Sequence, residues 1–538
     1  MRNVLLAAAC AAAFLSIPAA AQQRVEADRA TLERDVRVLA DDSMEGREAG
    51  TSGYAMAAGY VAGRFAAIGL EPGGDDGTYF QTVPLRARSA TEDGNSLDVT
   101  GPDGAYALTA LTDYYGSGTY ALEQGVVDAP LVFVGYGLDM SGRDDFAGLD
   151  LAGKIAVYVS GAPARLNTEE RAHYRSTIAQ RLSDRGAVGT LMLWTPEREN
   201  IIAWDRAIAS ARGSVGMTWL DPEGVPYSTA PGLLASAVLS PEASRRLMEG
   251  QDFDYDDVAA AETTPEGMMP SFGLGSSARL AFSQTLETIS APNVVAMLLG
   301  TDPALADQYL VLTGHLDHEG VKPTPEDGDD EIFNGAMDNA TGIATMLEVA
   351  RLLKANPVRR PVLFVALTAE EKGLIGSSYN AVRPTVPAEQ VAANLNLDMP
   401  IVTYEFTDLN AFGAERSNLY PAVEAAVEEY GLTLSPDPDP TQGLFVRSDQ
   451  YSYIKQGVPA IYLKTGFADG GEDAQGLFRA EHYHQASDEA DLVDFAMLAR
   501  FASVNYAIAR NVANMAERPM WNAGDFFGTM FEGPMAAR

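Results

Sequence analysis

Between residues 293 and 516 the chain alternates short apolar runs with amphipathic stretches. The runs at 309–313, 362–367 and 391–397 are almost uninterrupted and bounded by polar residues, Gly or Pro. Continuous apolar runs of that length read as strands buried on both faces. Ile343, Met346, Leu347, Ala350 and Leu353 recur at helical spacing, as do Leu492, Phe495, Leu498 and Ala502. Strand–helix alternation of this kind predicts an α/β fold with a largely parallel sheet.

The flanking regions read differently. Residues 32–39 look helical, 41–51 form a polar loop, and 79–85 begin a strand. Tyr54, Ala57, Ala58, Val61, Phe65 and Ile68 share a helical face that Gly69 ends. From about 116 the texture changes to short strands at 131–137, 154–159, 189–194 and 233–239, with helices near 168–185 and from 241. Residues 116–285 cluster no catalytic residue types, so this segment reads as an inserted accessory domain. The expected division is a leader over 1–21, the first part of the main domain over 22–115, the insert over 116–285, the catalytic part over 286–518, and a loop-like tail over 519–538.

Composition narrows the partners. A chain of 538 residues exceeds one ordinary core. Its formal net charge of -36 repels nucleic acid and anionic lipid, which excludes both as expected partners. Arg2, the apolar segment 4–17 and Ala19-Ala20-Ala21 have the form of an export signal, which predicts a periplasmic or extracellular protein. No later window is long enough for stable membrane insertion. Cys10, the single cysteine, lies within the leader, so the mature chain carries no disulfide and no thiolate ligand. The sequence leaves the oligomeric state open.

Candidate chemistry sits just past the ends of the three core strands. His315 follows the first, Glu370 and Glu371 the second, and Asp398 the third. In open α/β sheets those ends share one edge, where ligands gather. Two adjacent carboxylates can divide metal binding from proton transfer, although alone such a pair also suits a solvated loop. Asp338, between Gly335 and Gly342, reads either as a helix N-cap or as a ligand on closely approaching backbone. His484 lies in Glu481-His482-Tyr483-His484, and Asp488 after it reads as an N-cap. His318 and His482 read as spare ligands or surface residues, with the surface favoured, and His173 as an ordinary surface or helix residue. Imidazoles with carboxylates suit zinc or another divalent first-row metal. Five such donors exceed what one zinc takes and would serve two metals sharing a carboxylate.

Five blocks resemble the co-catalytic dizinc aminopeptidases, the group of aminopeptidase Y and bacterial leucyl aminopeptidase. They are Gly314-His315-Leu316-Asp317, the segment 335–342 around Asp338, the segment 368–377 around Glu370-Glu371, Asn396-Leu397-Asp398 and Tyr483-His484, in that family's order. Met44-Glu45-Gly46-Arg47 and Gly69-Leu70-Glu71-Pro72 extend the likeness, and the insert is similar to a protease-associated domain.

The resemblance implies a three-layer α/β/α zinc-peptidase domain with a mixed, largely parallel sheet, plus a mainly-β insert. It further implies two zinc ions, His315 and Asp398 on one, Glu371 and His484 on the other, with Asp338 bridging. Glu370 would be the general base toward a metal-bridged water, Asp317 would orient His315, and Tyr483 would hydrogen-bond the developing oxyanion. Ser448-Asp449-Gln450 departs from the Ser-Asp-His of many relatives, at a place that touches no expected ligand. The implied activity is removal of N-terminal residues from peptides. Carboxypeptidases, glutaminyl cyclases and metal-free receptors share the scaffold, and Arg447, Lys464 and Arg479 could serve a carboxypeptidase.

Overall fold

The computed structural model describes residues 24–91, 93–322 and 330–537. The leader expected over 1–21 lies outside the described residues. Four parallel strands form the centre of the first sheet, in the order Val362–Leu367, Tyr309–His315, Val391–Asn396 and Ala460–Thr465. Antiparallel strands complete both sides. Phe272–Leu298 pairs with Val362–Leu367 and with Phe80–Ala90, and Asp408–Phe412 pairs with Ala460–Thr465. The sheet is therefore mixed, with a parallel core.

Burial on both faces explains the continuous apolar runs. Val362, Phe364 and Ala366 face the helices Arg29–Leu39, Ser52–Ile68, Thr341–Ala355 and Phe495–Asn514, while Leu363, Val365 and Leu367 face the opposite layer. All six are at most 3% exposed. Each side chain that size contributes roughly 1.5–3 kcal/mol by leaving water, so this strand cannot shift register without exposing one whole layer.

The Phe272–Leu298 strand also belongs to a second sheet. Its first half pairs with Ser96–Gly101 and Gln124–Phe133, and parallel strands Ile155–Val159, Gly189–Leu193 and Ala235–Leu239 extend that sheet. The division expected at 116 differs from this pairing in two places. Ser96–Gly101 and Gly104–Leu108 already belong to the second sheet, and Leu97 and Val99 lie in its core. Val215–Trp219, within the expected insert, pairs instead with Leu85–Ser89 of the first sheet. The second sheet also carries helices, among them Thr168–Ser176, Ile178–Asp184, Pro241–Met248 and Tyr255–Glu262. The insert is thus not built of strands alone.

Two further expectations are corrected here. The tail does not pack as plain loop, because Phe526–Met530 is helical and Trp521 is fully buried, its indole donating to Gly457 O at 2.8 Å. His173 lies on a helix but not at the surface. It is 4% exposed, its Nδ1 stands 2.6 Å from Tyr451 Oη, and the rings of Tyr174, Phe526, Phe527 and Phe531 surround it. One imidazole thus sits where the helices Thr168–Ser176 and Gln450–Ile454 meet the tail.

Burial, with help from Arg181 and Lys455, pushes the His173 pKa down to about 4 from the ordinary 6.5. The unfolded chain therefore binds more protons between those values, so stability rises with pH from about 4 to 6.5. We expect the wild type to lose about 3 kcal/mol relative to His173→Gln as pH falls through that window. Thermal unfolding of both proteins at a series of pH values checks this, and parallel curves would contradict it.

Candidate metal centre

The register of the parallel strands places the donors. His315 is the last residue of its strand and lies opposite Leu367, while Thr313 lies opposite Asn396. Glu370, Glu371 and Asp398 follow Leu367 and Asn396 by two to four residues, so all emerge at one carboxyl edge. Tight turns aim them. Ala369, Met399 and His484 take left-handed backbone conformations (φ 51°, 43° and 55°), which non-glycine residues adopt only when the surroundings enforce them.

Asp338 reaches the same point from a turn over Ala336–Ala340 that precedes the helix Thr341–Ala355. It is not that helix's N-cap. Gly335 and Gly342 are required for packing, since a Cβ at Gly335 would meet Asp338 O at 2.2 Å and one at Gly342 would meet Asn339 Oδ1 at 2.0 Å. Asn339 ties the loops together, donating to Leu397 O and accepting from Met399 N and Gly342 N.

The donor atoms converge without bonding to one another. His315 Nε2 lies 3.2 Å from Asp338 Oδ1 and 3.4 Å from Asp398 Oδ1. His484 Nε2 lies 3.2 Å from Asp338 Oδ2 and 3.2 Å from Glu371 Oε2. These approaches lack hydrogen-bond geometry, and His484 Nε2 is buried with no hydrogen-bond partner. The two oxygens of Asp338 thus face two different imidazoles. His315, Asp338 and Asp398 form one set whose ligand atoms fit within 4.8 Å, and Glu371 joins His484 and Glu319 in another. Nitrogen and oxygen donors around common points, with no thiolate, fit divalent zinc.

Electrostatics say the same. Burial opposes charge on His315 and His484, yet nearby carboxylates outweigh it, holding His315 well above its ordinary pKa and raising His484 to about 11. Burial likewise opposes ionisation of Asp338, Asp398 and Glu371. His315 and His484 nevertheless hold Asp338 well below its ordinary range, His315 and Lys464 lower Asp398, and His318 and His484 lower Glu371 to about 2. Glu370 goes the other way. Burial, reinforced by Glu371, Asp449 and Asp398, raises it well above 4.5 against the pull of His315. Neighbouring carboxylates pushed apart in this way divide into ligands and a proton carrier.

Several supporting residues depart from the sequence reading. Asp317 does not place its carboxylate on His315. Its carbonyl stands 3.1 Å from His315 Nδ1, while its carboxylate accepts from Glu370 N and Glu371 N at 3.0 and 3.3 Å. His318 is fully buried rather than at the surface, with Nδ1 2.8 Å from Glu371 Oε1. Asp488 caps no helix of its own. It accepts from Met337 N and Asp338 N at 2.9 and 3.0 Å, and Asp494 caps the following helix. Ser448, expected to touch no ligand, donates to Asp398 Oδ2 at 2.6 Å, and Tyr462 Oη donates to the same oxygen at 3.1 Å. Gln450 supports this arrangement by accepting from Asn396. Tyr483 lines the cleft and stacks on His484, centroids 3.9 Å apart. His482 stays away from the cluster and bonds Ser487.

Arg47 carries a role that the sequence hides. It is 1% exposed and donates to the carbonyls of Leu39, Leu316, Asn334 and Gly335, joining both loops that bear His315 and Asp338. Only its place in a short polar block of the N-terminal region pointed there.

A doubly covered parallel sheet with imidazoles and carboxylates at its carboxyl edge has the form of a divalent-metal site. Residues 293–509 match the sequence profile of Peptidase family M28. The chain is 30% identical over 197 residues to a probable leucine aminopeptidase 2 of Aspergillus fumigatus, covering 35% of this chain and 36% of the relative. It is 27% identical over 246 residues to aminopeptidase Y of Saccharomyces cerevisiae, covering 44% and 41%. It is 33% identical over 125 residues to a probable zinc metalloprotease of Pyrenophora tritici-repentis, covering 23% and 26%. The chain thus spans less than half the length of these three relatives. The fold is shared with an aminopeptidase from Aneurinibacillus sp. strain AM-1 at 18% identity and a TM-score of 0.50, over 92% of this chain and 96% of that one.

Residues that hold ligands in place tune metal affinity by about 10–100-fold. Asp488→Ala frees the backbone of Asp338, and Ser448→Ala removes the shorter of two hydrogen bonds to Asp398 Oδ2. Each should weaken zinc binding within that range, measured by competition with a coloured chelator. Affinity unchanged in both would show that these contacts do not hold the ligands.

Proposed function

We propose that the protein is an exported dizinc metallo-exopeptidase that removes N-terminal residues from peptides. One observation carries this reading: the two oxygens of Asp338 face His315 and His484 separately, as a carboxylate shared between two ions would. His315 and Asp398 would hold one ion and His484 and Glu371 the other. Zinc bound there would polarise the scissile carbonyl and make an attacking water acidic.

The chain's own residues supply the rest. Glu370, with its raised pKa, takes a proton from the attacking water and passes it to the leaving amine as the C–N bond breaks. Asp317 holds the Glu370 and Glu371 amides in place. Tyr483, its pKa raised by burial, keeps its proton and can donate it in a hydrogen bond to the developing oxyanion. An unblocked α-ammonium would be drawn to the carboxylates of the cleft, which favours the N-terminal end of the substrate. The export signal expected over 1–21 supports a site of action outside the cytoplasm.

A strong chelator should abolish hydrolysis of a leucyl or alanyl anilide, and zinc should restore it. Glu370→Gln should lower kcat by about 10²–10⁴ with metal content unchanged. Acetylating the substrate amine should stop the reaction. Full activity in metal-free protein would end the proposal, and release of C-terminal residues from N-blocked peptides would replace it with a carboxypeptidase.

A further inference from the structure

Cations are scarce in this chain, 38 Lys and Arg against 74 Asp and Glu, yet three of them line one cleft. The cleft holds about 290 Å³, with His315, Asp338, Glu370, Glu371 and Asp398 among its walls and Arg447, Lys464 and Arg479 also facing it. The three cations are not equivalent. Lys464 is buried and donates to Asp398 O and Met399 O at 3.2 and 2.7 Å, so it fixes the ligand loop. Arg447 is exposed and reaches only Gln442, at 3.1 Å to Oε1 and 3.4 Å to O. Arg479 is half-buried and, among the described residues, makes no ion pair and no hydrogen bond from its side chain. Asp437 and Asp439 line the small recess next to it, but Asp439 is already bonded to Thr441 and Gln442.

Charge then decides what fits. Asp338, Asp398, Glu371 and Glu370 face the two ions and the substrate's α-ammonium. Arg447 and Arg479 bring positive charge into the same cleft, and the Arg479 guanidinium keeps its donors free among the described residues although Asp437 and Asp439 lie in the adjoining recess. Guanidinium groups bind carboxylates through paired, charge-assisted hydrogen bonds, and do so more strongly away from bulk water. A cavity of this volume sits just below the usual range for small-ligand sites, which suits one or two residues rather than a long peptide.

We infer that Arg479, assisted by Arg447, binds a substrate carboxylate, so that the site selects short peptides carrying an anionic group close to the scissile bond. The inference rests on the metallopeptidase reading and adds the substrate class to it. The carboxylate is either the free C-terminus of a dipeptide or an acidic side chain.

Four unblocked substrates separate these sources: Ala-Ala, Ala-Ala-amide, Ala-Glu-amide and Ala-Gln-amide, tested with the zinc-loaded full chain. A free-terminus site gives Ala-Ala a kcat/KM at least about tenfold above its amide, carried mainly by KM. A side-chain site gives the same advantage to Ala-Glu-amide over Ala-Gln-amide. Either advantage should shrink toward one in Arg479→Gln, survive in part in Arg479→Lys, and weaken in high salt. Equal turnover of acids and amides, or a preference untouched by Arg479→Gln and by Arg447→Gln, would overturn the inference while leaving the peptidase reading intact. Failure to cleave any of the four, or an unblocked anilide, would sink both.

Discussion

The structure depends on how one buried edge tolerates its negative charge. Asp317, Asp338, Asp398, Asp449 and Asp488 are all buried, and Glu370 and Glu371 crowd against them. Effective penalties for buried ions run to several kcal/mol each unless geometry compensates them. Arg47 and Lys464 supply two opposing charges, each with its pKa lowered by burial, to about 10 and about 8. Burial raises Asp317 and Asp488 to about 6 and Asp449 to about 7, so these groups take up protons in mildly acid solution more readily than free carboxylates do. The remaining deficit falls on His315 and His484. Either they take protons, or divalent cations take the protons' place; metal binding and imidazole protonation are therefore opposed.

The scaffold makes that arrangement affordable in conformational terms. Six consecutive buried residues, Val362 to Leu367, lock one strand between two layers, and its parallel neighbours inherit the register. The loops beyond them are then short and cross-tied, by Asn339 between the strands and by Arg47 from below. Strained turns at Ala369, Met399 and His484 persist because their neighbours leave no alternative. The second sheet is joined to this frame through the long strand Phe272–Leu298, through the segment that sends Val215–Trp219 to pair with Leu85–Ser89, and through the aromatic junction around His173.

What could be read from the sequence follows from the range of each interaction. The strands at 309–315, 362–367 and 391–396 declare themselves because burial on both faces leaves a continuous local signature. Donor types directly after them are equally visible. Asp488 reads as an N-cap from sequence because an N-cap and a brace for a turn 150 residues away use the same carboxylate chemistry. His318 hid beside His315, since sequence neighbours past a strand end can point into the core or out of it. The contact of Ser448 with Asp398 spans 50 positions, and the pairing of Ser96–Gly101 with Phe272–Leu298 spans far more. Neither leaves a periodic trace. The tail misled for another reason: its one anchor, Trp521, is too sparse a pattern to predict docking.

The central claim is that this cluster is completed by two divalent ions sharing Asp338. Equilibrium dialysis of the metal-stripped full chain against buffered free zinc tests it most directly. The account predicts saturation at two zinc ions per chain, with Asp338→Ala losing both together because the shared carboxylate is gone. Saturation at one ion, or an Asp338→Ala chain that still binds two, would contradict it.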